Sequence, residues 1–279
     1  MSQKTIPQGM VDELEPTPRT NTPFERAVLD YILKTGPRDM EMYARITDPQ
    51  TRTAYEAAEL QRRATDWPHL GMYRGENASL HVRPDVVFIG CSITEIWQHG
   101  DASLFSNGIV GRGISGQTSQ QLLLRFYPDV VALRPKVVHI LCGSNDIAGN
   151  TGPCTPQDYK NNIMAMMDLA FANGMAVVIG SIPPSNQFNH RPEMHPAARI
   201  AELNTWLREI AGKRGATYVD YFSALTDIDG SLPPKYSNDG LHPNAAGYEV
   251  MRPLALAAIR SSLAAARRLQ PVDHASPRQ

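Results

Sequence analysis

The segment VVFIGCSITE, residues 86–95, sets a buried apolar run directly against a polar turn, and the same pattern recurs down the chain. Further runs are GIVG at 108–111, VVHILC at 137–142, AVVIGS at 176–181 and ATYVDY at 216–221. Between them, apolar residues recur at helical spacing over 117–126, 157–173 and 196–213, and a last such stretch covers 244–266. Strands that read as near-continuous Val and Ile need cover on both faces, and helical crossovers between parallel strands supply it. The pattern predicts an α/β domain: a three-layer, doubly wound, five-stranded parallel sheet. Ligands in such sheets bind beyond the carboxyl ends of the strands. The turns to inspect are therefore CSITE (91–95), GRGISGQT (111–118) and GSNDIAGN (143–150), together with SNDGLHPNAAG (237–247) ahead of the last helix.

Upstream of this domain, residues 1–23 are rich in Pro, Thr and charge and read as an extended arm. Residues 24–34 and 49–66 have helical spacing, with Tyr55, Ala58 and Leu60 as markers, but no catalytic signature. The expected organisation is an arm and helical extension over 1–66, a catalytic domain over 67–266 and a flexible tail over 267–279. The extension reads as a brace, or as a contact through which a homo-oligomer forms, rather than as a substrate lid.

Composition narrows the partners. Of 279 residues, 42% are hydrophobic and 20% charged, enough apolar material for a sizeable core. Twenty-seven Lys and Arg stand against twenty-eight Asp and Glu, and a net charge of -1 provides no basic field for nucleic acid. The start, MSQKTIPQGMVDELEPTPRT, has no apolar signal region, and no apolar run reaches bilayer length, so the chain as given reads as cytoplasmic. A periplasmic or secreted location would require a leader already removed. Cys91, Cys142 and Cys154 form neither a disulfide framework nor the paired spacing of a zinc site.

A serine nucleophile needs a base, a group that orients the base, and donors facing the developing oxyanion. Ser92 sits where a strand-like run ends and a helix N-terminus would point its N–H groups at an anion. Asp239 precedes His242 by three residues, so one short loop delivers both base and orienter. Asn145 offers an amide donor, and Gly116 a backbone N–H with no side chain to block approach.

These blocks, GCSIT, GISGQT, GSND and DGLHP in that order, resemble the GDSL, or SGNH, hydrolase family of serine esterases and lipases, over residues 67–259. The resemblance implies a flavodoxin-like SGNH hydrolase fold, with Ser92 as nucleophile, His242 as general base and Asp239 as its orienter. It also implies an oxyanion hole formed by Ser92, Gly116 and Asn145. The stretch NGIVGRGISGQTSQQLLLRF (107–126) is similar to the subgroup of platelet-activating-factor acetylhydrolase catalytic subunits and bacterial acetyl or aryl esterases, which implies short acyl groups. The substrate expected is a small-molecule or carbohydrate acyl ester, with no metal and no organic cofactor.

One position departs from the family pattern: Cys91 stands where an aspartate is usual. A thiol is a weak donor and poor acceptor, so polar partners in the neighbouring turns are expected to go unsatisfied. If the change distorts the nucleophile loop, the alternative is a noncatalytic ligand- or carbohydrate-binding protein on the same fold. Cys91 and Cys142 end adjacent strands if the first and third pair, but they read as small buried hydrophobes rather than a disulfide.

Three other features admit sharper readings. Gly111–Gly116 matches G-x-G-x-x-G, with Asp129 at the distance of a ribose-binding acid, yet it follows the second strand rather than the first and is set aside as a dinucleotide site. HRPEMH (190–195) carries two histidines and Glu193, but its prolines break any helical ligand face, and loop histidines are expected. The loop 183–197 is expected to border the substrate pocket, with Trp97 and Phe188 as either pocket lining or core. Asp146 is expected to anchor its own loop.

Overall fold

The computed structural model describes Met10, residues 22–188 and residues 191–269. The expected arm lies almost wholly outside the described residues, as does the tail beyond residue 269. Four helices come first: α1 (Pro23–Leu33), α2 (Met40–Ile46), α3 (Pro49–Thr65) and α4 (Arg74–Ala78). Helix α1 begins with a reciprocal cap, Thr22 accepting from the Glu25 N–H while the Glu25 side chain accepts from the Thr22 N–H. Then follow β1 (Val86–Gly90), α5 (Ser92–Gly100), β2 (Ile109–Gly113), α6 (Ser119–Asp129), β3 (Val137–Leu141), α7 (Ser144–Ala148) and α8 (Pro156–Ala172). The chain continues through β4 (Ala176–Gly180), α9 (Ala197–Lys213), β5 (Thr217–Val219), α10 (Tyr221–Leu225) and α11 (Ala245–Leu269).

All five strands are parallel, in the order β2-β1-β3-β4-β5. Residue alternation sorts the core into two layers. Val87, Ile89, Val138, Ile140, Val177 and Ile179 share one apolar cluster with residues of α6, α8 and α9. Val86, Phe88, Val137 and Val178 share the other with residues of α1, α5 and α11. Within that second layer His139 stacks on Phe88 at 4.3 Å between centroids and meets the Tyr221 hydroxyl at 2.8 Å through Nε2. Burial brings its pKa down to about 3, so the imidazole is a neutral core group.

Because β2 and β3 flank β1, the chain leaves β1 at the point where the winding reverses, and the crevice there opens above three adjacent strand ends. Gly90 pairs with Gly113 on one side and Leu141 on the other. Ser92, Gly116 and Asn145 thus emerge two, three and four residues past paired positions.

Several boundaries differ from the sequence reading, and three of them are informative. Strand β2 runs on to Gly113 because helix α5 lies against it: a Cβ on Gly111 would fall 2.3 Å from Gln98 Cδ, and one on Gly113 would fall 2.2 Å from the Glu95 nitrogen. The first two glycines of the G-x-G-x-x-G match therefore serve helix packing, not a phosphate. Asp129 is likewise committed, accepting from buried Arg125 at 3.0 Å and from Asn77 at 2.8 Å. Helix α5 starts at Ser92 without the turn expected over 91–95. Helix α11 extends to Leu269, so the first three residues of the expected tail are helical. Strands β1 and β3 do pair, yet Cys91, Cys142 and Cys154 are all free thiols. Among the described residues, no helix is long and apolar enough to cross a membrane.

Candidate active site

Ser92 is the first residue of α5, and its hydroxyl meets His242 Nε2 at 2.8 Å. This junction is tight: a Cβ on Gly90 would lie 2.1 Å from Thr94 Oγ1 and 2.6 Å from the Leu141 carbonyl, so only glycine fits. Cys91 is the N-cap of α5 and gives no side-chain cap bond, and the Thr94 hydroxyl three residues on is buried without a partner. Burial pushes the Cys91 thiol up, keeping it neutral. Across this junction Ser92 still reaches the His242 imidazole.

His242 and Asp239 share the loop between α10 and α11. Asp239 Oδ2 lies 2.6 Å from His242 Nδ1, while Oδ1 accepts from the backbone N–H groups of Leu241 and His242 at 2.9 and 2.8 Å and from Ser237 Oγ at 3.2 Å. Burial pulls the carboxyl pKa upward, but the charge of His242 and these bonds outweigh it and hold it down at about 2. Next to it, the Asn238 amide donates to the Tyr31 and Lys34 carbonyls, each at 2.7 Å, and the Tyr31 hydroxyl donates back to the Asn238 carbonyl at 3.0 Å. The end of α1 therefore fixes the histidine loop.

The two other loops are fixed to one another. Asn145 Nδ2 donates to the Gln117 carbonyl at 2.9 Å, and Asn150 Nδ2 donates to Asn145 Oδ1 at 2.7 Å. Of the two Nδ2 hydrogens, one remains for a ligand. Gly116 has φ +75°, a left-handed conformation that favours glycine. Asp146 is the loop anchor expected: it accepts from the Ser119 N–H at 3.0 Å and from the Ser119 hydroxyl at 2.5 Å. Burial raises its carboxyl to about 6 despite those bonds.

Beneath the site sits Arg125, wholly buried, whose guanidinium donates to the Gly90 carbonyl at 2.8 Å, to Gln117 Oε1 at 2.6 Å and to Asp129 at 3.0 Å. It ties the strand that delivers Ser92 to the turn that delivers Gly116. The Gln117 amide donates in turn to the Pro68 carbonyl at 2.8 Å, and Gln121 to the Trp67 carbonyl at 2.7 Å. Sequence reasoning missed Arg125, because an arginine on an amphipathic helix ordinarily reads as solvated.

Trp97 and Phe188 are both fully buried, Trp97 stacking on Tyr248 at 5.3 Å, so both are core and not pocket lining. The loop after β4 lines a cavity of about 540 Å³ with Met194, His195 and Pro196, together with Asp146, Cys154 and Tyr159. Ser92 and His242 do not line it. His190 lies outside the described residues. Among the described residues no group of three or more His, Cys, Asp or Glu is placed to hold a metal ion.

Residues 88–250 match the model of the GDSL-like Lipase/Acylhydrolase family, a span that takes in Ser92, Gly116, Asn145, Asp239 and His242. The chain belongs to this family. As a GDSL-like acylhydrolase it is an enzyme of the carboxylic ester hydrolase class, and its five-stranded parallel sheet is the SGNH hydrolase fold. It is 26% identical over 148 residues to an acetylxylan esterase of Geobacillus stearothermophilus, covering 51% of this chain and 68% of that one. A solved structure of a candidate acylhydrolase from Bacteroides fragilis is 41% identical, with a TM-score of 0.69 over 71% of this chain and 99% of its own. A GDSL-like lipase from Bacteroides thetaiotaomicron is 39% identical, with a TM-score of 0.65 over 68% of this chain and 96% of its own. The family-matched segment of this acylhydrolase begins after α1–α4, so Asn238 and Gln117 tie the loops of the candidate site to residues upstream of that segment.

Proposed function

We propose that this acylhydrolase cleaves short-chain acyl esters, acetyl esters foremost, of small-molecule or carbohydrate alcohols through an acyl-enzyme on Ser92. The observation that carries the reading is the continuous relay from Ser92 Oγ to His242 Nε2 at 2.8 Å and from His242 Nδ1 to Asp239 at 2.6 Å. Asp239 stays ionised at working pH and accepts from Nδ1, which leaves Nε2 free to take the serine proton.

Ser92 attacks the ester carbonyl as His242 accepts its proton. The resulting oxyanion is received by the Ser92 N–H at the start of α5, the Gly116 N–H and the second Asn145 Nδ2 hydrogen. His242 then protonates the leaving alkoxide, giving an acyl-enzyme and free alcohol. A water molecule deprotonated by His242 attacks the acyl carbon, releasing the carboxylic acid and restoring Ser92. None of these steps calls on a metal or an organic cofactor.

The preference for acetyl is supported by the acetylxylan esterase relative. Turnover of a p-nitrophenyl series, acetate to octanoate, by wild type and Ser92→Ala tests both parts. The expected result is fastest cleavage of acetate and a loss of about 10⁴-fold or more in the variant. Undiminished turnover by Ser92→Ala would remove the nucleophile, and a preference for octanoate would remove the short acyl group.

A further inference from the structure

Arg63 lies on α3, upstream of the family-matched segment, and is half-buried. Its Nη1 reaches the Asn150 carbonyl at 3.5 Å, the outer limit of a hydrogen bond. Its Nη2 is 3.5 Å from the point a Cβ on Gly116 would occupy, and its Nε is buried with no acceptor. The adjacent Arg62 is satisfied by Glu59 at 2.6 Å, whereas Arg63 makes no ion pair among the described residues.

Glu59 lies within electrostatic reach of Arg63, but its carboxylate is bonded to Arg62, so a guanidinium with an unoccupied Nε stands over Gly116 and beside Asn150, the residue that holds Asn145. Arginine in such a position is a binder of planar anions, because its fork of N–H donors matches a carboxylate. The oxyanion itself is transient and has three donors of its own, so a lasting partner must arrive with the substrate. We propose that Arg63 is a specificity-determining residue that binds a carboxylate carried by the ester, on its acyl half or its alcohol half. The proposal rests on the reading of Ser92 as nucleophile, since it is that site which Arg63 overlooks.

Three esters separate the possibilities: neutral p-nitrophenyl acetate, mono-p-nitrophenyl succinate with its carboxylate on the acyl half, and 4-acetoxybenzoate with its carboxylate on the alcohol half. Each is assayed with wild type, Arg63→Gln and Arg63→Lys. On one of the two carboxylate esters, Arg63→Gln is expected to lose about tenfold more kcat/KM than it loses on p-nitrophenyl acetate, with the excess in KM. Arg63→Lys retains the charge and should recover part of that difference, and added salt should narrow the wild-type preference. Equal losses on all three esters, or none, would overturn the assignment; equal losses would make Arg63 a support of the Gly116 and Asn150 loops instead. Ser92→Ala run alongside keeps the two readings apart: residual turnover in that variant defeats the nucleophile, whatever Arg63 does.

Discussion

His242 Nε2 stands 2.8 Å from Ser92 Oγ across a sequence separation of 150 residues. Such a contact survives only if both loops are held. Ser92 is fixed by the β1–α5 junction, where Gly90 admits no side chain, and His242 by Asp239 and by its loop neighbour Asn238, which bonds to the end of α1. The relay is therefore a property of the whole scaffold, including helices that precede the family-matched segment.

Replacing Asp239 by Asn should leave the loop in place, since an amide oxygen can still accept from the Leu241 and His242 N–H groups. Its NH₂ would face Nδ1 and force the proton onto Nε2, the wrong tautomer for a base. Turnover is expected to fall about 10³- to 10⁴-fold with KM little changed. Steady-state kinetics on p-nitrophenyl acetate check this, and a fall of less than tenfold would show that Asp239 does not set the tautomer.

Asn145→Ala removes one proposed oxyanion donor while leaving the relay untouched. The expected cost is about 10²- to 10³-fold in kcat. A rise in KM at constant kcat would instead mark Asn145 as a ground-state contact.

Asp146 provides a pH test. Its folded-state pKa of about 6 lies above the unfolded value near 4, so the folded protein binds this proton more tightly. The stability so gained is present below about pH 4 and is lost as the pH rises through about 6, a change of about 3 kcal/mol. Asp146→Asn cannot ionise and lacks this dependence. Urea unfolding of both proteins at a series of pH values should show their stability difference moving in the variant's favour across that window, and a constant difference would contradict the assignment.

Much of this arrangement was legible in the chain itself. Valine and isoleucine at 86–89, 137–140 and 176–179 can be buried on both faces only in a covered parallel sheet, and the polar turns that follow must then meet at one edge. Ser92, Gly116, Asn145, Asp239 and His242 stood out because each lies in a short polar block whose residue types match one part of a serine nucleophile's machinery. What could not be read were residues whose meaning depends on a distant backbone atom. Arg125 serves Gly90, Gln117 and Asp129, and Asn238 serves the Tyr31 and Lys34 carbonyls. Carbonyl acceptors leave no mark in a sequence. The glycines at 111 and 113 misled about where β2 ends because their close approach to α5 looks, in one dimension, like a turn.

That close approach is itself testable. A methyl group at residue 113 would lie 2.2 Å from the Glu95 nitrogen and 2.7 Å from the Thr94 carbonyl carbon, both backbone atoms of the helix that begins with Ser92. Gly113→Ala should cost about 1–3 kcal/mol of stability and lower kcat as α5 shifts. Gly75→Ala, where the added methyl meets nothing within 4 Å, is the control expected to be neutral or slightly stabilising. Equal melting temperatures for the two variants would contradict the packing account.

Covalent capture tests the nucleophile most directly. Incubation with a fluorophosphonate, followed by proteolysis and peptide mass mapping, should place one label per chain on Ser92, with labelling abolished in Ser92→Ala and greatly slowed in a His242→Ala variant. A label on another residue, or none on a protein that still turns over p-nitrophenyl acetate, would contradict the assignment of Ser92.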